Sequence, residues 1–292
     1  MWPGTDFMKK SLLKLDFFVN VDFFLTESAK LADIVLPACS SFERSELLID
    51  ATHYAIWTEP VISPVGLSRP DVDIIVDLSR QLNPEDELMS RGHEACMDWI
   101  FAPSEVTIAE LKKHPGGIFL RNRPETPYEK YRTAGFPTPS GKMEFTSTVL
   151  KEFGIDPLPV YREPKHSPLS EPELARAFPL VLTTGARLPM YIHSRTFRVP
   201  WLRRLRPDPM ADINPVDARK RGIEPNQWIE LATPRGALRV RANVTEYVLP
   251  GVVNMIYGFP GADVNDIIEP DYRDPISGYP GFKSLLCEVR KS

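Results

Sequence analysis

Proline punctuates this chain so densely that long helices and wide, regular sheets cannot be threaded through most of it. Thirty of the 292 residues are proline, about twice the usual share in a soluble protein. Each one fixes φ at about −65°, removes a backbone donor and biases the preceding residue away from helix. The pattern predicts many short elements joined by ordered loops and excludes a helical bundle. Its densest run, DPLPVYREPKHSPLSEP, places five prolines in the seventeen residues from Asp156 to Pro172. Such a run favours extended backbone, so 156–177 reads as a linker between a first domain at 1–155 and a second at 178–292.

Several functional classes drop out early. No stretch of about 18 apolar residues exists, so no membrane span is expected. The N-terminal run mixes lysine and aspartate into its apolar residues and lacks the grammar of a signal peptide. A formal net charge of −4 offers no general basic footprint, and no nucleic-acid partner is expected. Cys39, Cys96 and Cys287 stand far apart with no CxxC pair, which argues against a zinc ribbon or an iron–sulfur cluster held by this chain. They fit buried thiols in a reducing, cytoplasmic compartment, although an export signal would lie upstream of this chain. The five histidines are equally scattered, so no metal ligand is assigned.

In the first domain, 15–21 reads as a strand with Asp22 at its end. A short helix follows over 26–32 with Thr26 as a candidate N-cap, and then a strand over 33–36 stopped by Pro37. Strand, helix, strand at this spacing resembles a parallel α/β layer, whose ligands bind beyond the carboxyl ends of the strands. Asp22 sits at such an end, though a turn or helix cap explains it equally well. Pro70 and Asp71 open a helix whose apolar positions are Val72, Ile75, Val76, Leu78 and Leu82. Asp71 there complements the helix dipole. Two further short helices are expected over 94–101 and 104–113. TPSGKMEF, Thr138 to Phe145, reads as a turn leading into a strand and lacks the glycine spacing of a phosphate loop.

The second domain opens on a local positive island. From Phe178 to Pro207 the chain carries six arginines and no carboxylate. A short strand ends at Thr183-Thr184-Gly185, where exposed amides and a glycine allow close approach to an anion such as a pyrophosphate. On charge alone, a solvated basic strip or a patch paired with acids elsewhere reads the same pattern slightly better. Met210–Ile213 is a strand, and Asn214-Pro215 through Gly222 has the cap, start and stop of a two-turn helix. Two alternating strands flank Pro234-Arg235-Gly236, and 252–257 and 284–290 add two more. Many short strands with one small helix point to a closed barrel. The long loop from Gly258 to Phe282 holds Asn265 and leads to Lys283, and loops of that length tend to be functional.

Taken in order, these segments resemble a known family. LTTGARLPMYIHSRT (Leu182–Thr196), RPDPMADINPVDARKRGI (Arg206–Ile223), the PRGALRVRANVT hairpin and DPISGYPGFKSLLCEVRK (Asp274–Lys291) resemble the dinucleotide-binding domain of the molybdopterin oxidoreductases, the dimethyl sulfoxide reductase family. DFFLTESAKLADIVLPACSSFERSE (Asp22–Glu46) and TPSGKMEF resemble the end of that family's preceding α/β domain. The resemblance implies a partial parallel-sheet α/β domain followed by a β-rich, double-psi β-barrel domain. It also implies a bis-molybdopterin guanine dinucleotide cofactor carrying molybdenum or tungsten. Carried over by motif, Asp22, Arg44 and Asp71 would hold the guanosine end. Thr184, Gly185, Ala186, Arg187, Tyr191, His193 and Ser194 would line the dithiolene and phosphate part, with Phe259, Asn265 and Lys283 as later contacts.

Family members also carry a cysteine-rich iron–sulfur segment and a metal ligand in earlier domains, and neither pattern occurs in this sequence. The expectation is therefore the C-terminal portion of a catalytic subunit, with no catalytic residue of its own and no turnover alone. It would work with the rest of that subunit or with an iron–sulfur electron-transfer subunit, and an uncovered sheet edge would promote self-association. MYIHSRT and CEVRK look closest to the branch containing acetylene hydratase, which leaves redox and hydratase chemistry both open. A non-catalytic barrel module is a third reading.

Overall fold

The computed structural model describes residues 3–50, 53–120, 128–185, 188–191 and 196–292. They fall into two compact units, Leu15–Pro159 and the combination of Met1–Lys14 with Val160–Ser292.

In the first unit, β1 (Val19–Asp22) and β2 (Ile34–Pro37) pair in parallel, with Asp22 opposite Pro37. The crossover is shorter than the predicted helix: Ala29–Leu31 makes a single 3-10 turn. Ser28, not Thr26, holds its N-cap position and makes no side-chain cap bond, while the Thr26 hydroxyl accepts from the Ala29 amide at 3.2 Å from further back in the turn. Beyond β2 the layer is extended by the segment before Asp71, because Arg69 N donates to Pro37 O and Cys39 N donates to Arg69 O, both at 3.0 Å. The helix Asp71–Leu82 then begins where Pro70 and Asp71 place it. An antiparallel sheet of β3 (Glu46–Asp50), β4 (Tyr54–Thr58) and β5 (Ile118–Phe119) was not legible from the alternation of residues. Ala55, Trp57, Phe101, Ile108 and Leu111 form its small core. The predicted helix over 104–113 shrinks to Ile108–Leu111, started by the Thr107 cap. No strand follows TPSGKMEF; Glu144 instead turns back to accept from the amides of Ser140 (3.3 Å) and Thr148 (3.1 Å) and so closes a loop.

The second unit is built on a closed barrel. Its strands are β6 (Leu180–Thr183), β7 (Met210–Ile213), β8 (Trp228–Thr233), β9 (Gly236–Val244), β10 (Val252–Met255) and β11 (Leu285–Lys291). They close in the order β10-β6-β11-β8-β9-β7. The seams β10–β6 and β7–β9 are parallel and the rest antiparallel, the mixed pairing expected of the double-psi class. Alternate residues point inward, so Leu182, Ile213, Ile229, Leu231, Val240, Val253 and Val289 fill the interior with no exposure. The helix Pro215–Arg221 is started by Asn214, whose side chain accepts from the Val216 amide, and stopped by Gly222 in the left-handed region at φ 62°.

One domain boundary differs from expectation. The N-terminal segment packs in the barrel unit, not with the α/β layer that follows it. Gly4 N donates to Asn265 O at 2.9 Å, and Asp6 pairs with Arg235 at 2.6 Å. Gly4 has φ 70°, and a Cβ there would come within 2.8 Å of Pro270, so both backbone conformation and space call for glycine. The proline-rich run is likewise no free linker, since 160–177 belongs to the barrel unit and ends in the helix Pro172–Ala177.

Candidate functional site

At the carboxyl ends of β1 and β2, three of the predicted residues are held by local bonds. Asp22 accepts from the Phe24 amide at 3.4 Å and from the Thr26 hydroxyl at 3.3 Å, so it organises the turn that leaves β1. Arg44 donates to Cys39 O at 2.8 Å, to Glu46 at 2.6 Å and to Asp71 at 3.4 Å. Burial works against the Arg44 charge, but Glu46 and then Asp71 outweigh it and hold the guanidinium firmly protonated. Asp71 keeps about half of its side chain, 49%, exposed at the first turn of a twelve-residue helix. Arg44 and Asp71 are therefore brought together as an oriented pair, with the aspartate still able to accept from a ligand. Carboxylates suit the Watson–Crick edge of guanine, which presents adjacent N–H donors.

Glu43, beside Arg44, was not singled out from sequence. It is buried, and it accepts from the amides of Ser40 at 2.7 Å and Val65 at 2.6 Å. Those bonds, the Ser40 ones first, hold its carboxyl below the usual range. Its role is to fix the loop that aims Arg44.

In the barrel unit, the end of β6 meets the start of β11. Thr184 is fully buried, and its amide and hydroxyl both donate to Phe282 O, at 3.0 and 3.1 Å. Gly185 follows, and a Cβ on it would lie 2.7 Å from Lys283 Cε. The glycine is thus a seat for the lysine side chain, whose cation stays exposed. Beside it opens a cleft of about 490 Å³ lined by Gly185, Lys283, Ser284 and the rings of Tyr257, Tyr272, Tyr279 and Phe282. One cation, a backbone strip free of Cβ atoms and flat aromatic walls suit a ligand carrying an anion and a planar ring.

Asn265 is fully buried, yet neither its Oδ1 nor its Nδ2 has a partner. An unmet buried amide costs about 1–3 kcal/mol, so this residue fits a polar ligand atom that would complete it. Its own backbone is pinned, its amide donating to Asp263 at 3.0 Å. Tyr191 and Phe259 lie elsewhere, in a second small core with Phe197 and Ile256. The Tyr191 hydroxyl is committed to Arg206 O at 2.6 Å, and burial pushes its pKa up. Arg203 covers the Phe259 ring at 4.1 Å, while Arg206 turns inward to Asp212 at 3.4 Å with 12% of its side chain exposed. The positive island is therefore partly internal structure. Ala186, Arg187, His193 and Ser194 lie outside the described residues. Among the described residues no cluster of His, Cys, Asp and Glu is arranged to hold a metal, and no helix is long and apolar enough to cross a membrane.

Fold and site define two parts: a barrel unit that presents a glycine-seated cation and an aromatic cleft, and a unit built on a small parallel α/β layer. The comparisons with known proteins agree with that class. The profile of the molydopterin dinucleotide binding domain matches residues 180–286, and that of the molybdopterin oxidoreductases matches 4–81. Acetylene hydratase of Syntrophotalea acetylenica is 30% identical over 233 residues, 79% of this chain and 31% of that protein. Dimethyl sulfoxide reductase DmsA of Escherichia coli (strain K12) is 31% identical over 266 residues, 82% of this chain and 32% of that protein. The solved acetylene hydratase from Pelobacter acetylenicus superposes with a TM-score of 0.87 at 25% identity, over 100% of this chain and 42% of that one. The chain belongs to the molybdopterin oxidoreductases, the dimethyl sulfoxide reductase family. It spans about a third of the length of these curated relatives.

Proposed function

We propose that this chain binds molybdopterin guanine dinucleotide as part of a larger molybdenum or tungsten bis-molybdopterin guanine dinucleotide oxidoreductase. In that reading Asp22, Arg44 and Asp71 hold the guanosine end. Thr184, Gly185, Asn265 and Lys283 receive the phosphate and dithiolene part, joined by Ala186, Arg187, His193 and Ser194. Tyr191 and Phe259, buried in a separate small core, would act on the cofactor only through the residues that cover them. The observation that carries the reading is the Gly185 seat, where a missing Cβ holds Lys283 against the end of β6. When bound, the cofactor supplies the metal-centred chemistry; this chain's residues bind, orient and screen it.

Isothermal titration of the purified chain with GDP tests the guanosine half. Micromolar-range binding that weakens about tenfold or more in Asp71→Ala is expected, since a charge-assisted bond contributes roughly 1.5–3 kcal/mol. Equal affinity in the two proteins would remove the assignment. The chain by itself is expected to show no turnover, because the metal ligand and any iron–sulfur cluster are assigned to polypeptide outside it. Activity of the cofactor-loaded chain alone would contradict that.

A second reading has a specific observation behind it. Acetylene hydratase is among the similar proteins both by sequence and by structure, so the parent enzyme could add water without net redox change. Redox titration of the metal centre in the complete enzyme, with and without substrate, separates the two. The same proposal places the chain in the cytoplasm beside an iron–sulfur electron-transfer subunit. Recovery in a periplasmic fraction would contradict the compartment, and co-purification without any iron would contradict the partner.

A further inference from the structure

The cleft beside Lys283 has one wall whose position is fixed by contacts that no motif marks. Tyr272 and Gly281 face each other across a tight hairpin: Gly281 N donates to Tyr272 O at 3.0 Å, and Arg273 bridges Pro280. The Tyr272 ring lies so close to Gly281 that any Cβ there would overlap it. His166, from the proline-rich segment, meets the same ring edge to face, with centroids 5.2 Å apart and planes at 81°. His166 is itself oriented by Glu171, 2.8 Å from its Nδ1. A carboxylate can only accept, so Nδ1 carries the proton. His166 Nε2 is buried without a partner, which leaves Glu171 as the bond that sets the ring. Neighbouring hydrogen bonds stiffen the support, Ser170 donating to Pro164 O at 2.7 Å and the Glu171 amide to Ser167 O at 2.9 Å.

We infer that Tyr272 is a pre-set stacking wall for a flat nitrogen heterocycle in the cleft, with His166 and Glu171 as the positioning pair that holds it. The inference rests on the cofactor reading above and deepens it, since the cofactor offers two such rings, a pterin and a guanine. A side chain with two torsions, held by Gly281 and His166 while still lining the cleft, gives up little entropy when a ring stacks on it. Tyr257 and Phe282, stacked at 5.8 Å, complete the aromatic lining.

The test titrates the full chain with 6-hydroxymethylpterin, followed by quenching of pterin fluorescence, and separately with GDP. Tyr272→Ala and Gly281→Val are expected to weaken pterin binding by roughly 5- to 100-fold, the range that loss of a base–aromatic stack gives, while Tyr272→Phe stays within about twofold of wild type. His166→Ala and Glu171→Ala weaken it several-fold, and Glu171→Gln, which keeps an acceptor for Nδ1, restores it. A merely structural pair would lower the thermal midpoint in His166→Ala and leave pterin affinity unchanged, which overturns the positioning role. Dependence on Tyr272 in the GDP arm instead supports the wall and identifies guanine as its ring. If GDP binds through Asp71 and neither probe depends on Tyr272, this inference fails while the cofactor reading stands. If neither probe binds at all, both fall.

Discussion

The two units solve the same problem, holding polar groups at strand ends, by opposite means. The barrel is sealed: each of its six strands has two neighbours, and nineteen described buried hydrophobic residues fill it. The first unit is open. Its parallel ribbon pairs β1 with β2 and is bordered by a single bridge at Arg69, and Val19, Val21, Ile34 and Val35 remain exposed on it. Thr184 and Gly185 thus inherit rigidity from a closed frame, whereas Asp22, Arg44 and Asp71 are placed by bonds within their own loops. Closure makes position a property of the whole fold; an open ribbon makes it a property of each turn.

The sharpest way to break this contrast is core truncation. Leu231→Ala in the barrel is expected to cost about 2–5 kcal/mol, and Val21→Ala on the ribbon less than about 0.5 kcal/mol. Both are read from urea unfolding, and equal losses would erase the distinction. Next come the ion pairs. Arg221 grips Glu288 across the barrel at 2.6 and 3.2 Å, with 17% and 15% of the two side chains exposed. Glu288→Gln should cost about 1.5–3 kcal/mol, because it removes the nearer of two carboxylates from a largely buried guanidinium and leaves Asp217, at 3.8 Å, as its remaining charged partner. Asp71→Asn, at the exposed Arg44 pair, should cost under about 1 kcal/mol. A double-mutant cycle for each pair gives the comparison directly.

A pH series refines it. Burial, opposed by Thr5 and aided by Asp263, raises the pKa of Asp266 above its ordinary 3.8. A carboxyl raised in the fold is harmless while protonated in both states. Its penalty appears as pH rises from the ordinary value through the folded one. Asp266→Asn should therefore stabilise the protein at neutral pH, with the gain vanishing below the ordinary value; a gain that persists in acid would mean the cause is packing. The smallest effect concerns association. Val19→Thr with Val35→Thr should reduce any concentration-dependent growth in light-scattering mass if the ribbon face drives it, and an unchanged profile would point to another surface.

Much of the barrel was legible because its signals are local and agree with one another. Asn214, Pro215 and Gly222 spell a helix start and stop, and the alternation around Pro234-Arg235-Gly236 spells a hairpin; both form as read. The β3–β4 sheet was missed because ELLID and YAIWT show no clean alternation, their pairing being decided by packing on Trp57 and Phe101. Asp22, Asp71 and Gly185 were visible as residues at strand or helix ends. The Tyr272–Gly281 contact and the His166–Glu171 support were not, because nothing in a sequence marks which ring will lie on which glycine. Nor could charge alone show that Arg203 and Arg206 are spent internally, on Phe259 and Asp212.

The way the barrel is sealed has a kinetic corollary. β11 fits between β6 and β8, and its register sets Leu285 against Leu182, partners roughly a hundred residues apart along the chain. Bringing such distant segments together is entropically slow. Until that seam closes, β6 and β8 each keep an unpaired edge; once it closes, the ring offers no free strand edge to which another chain could add.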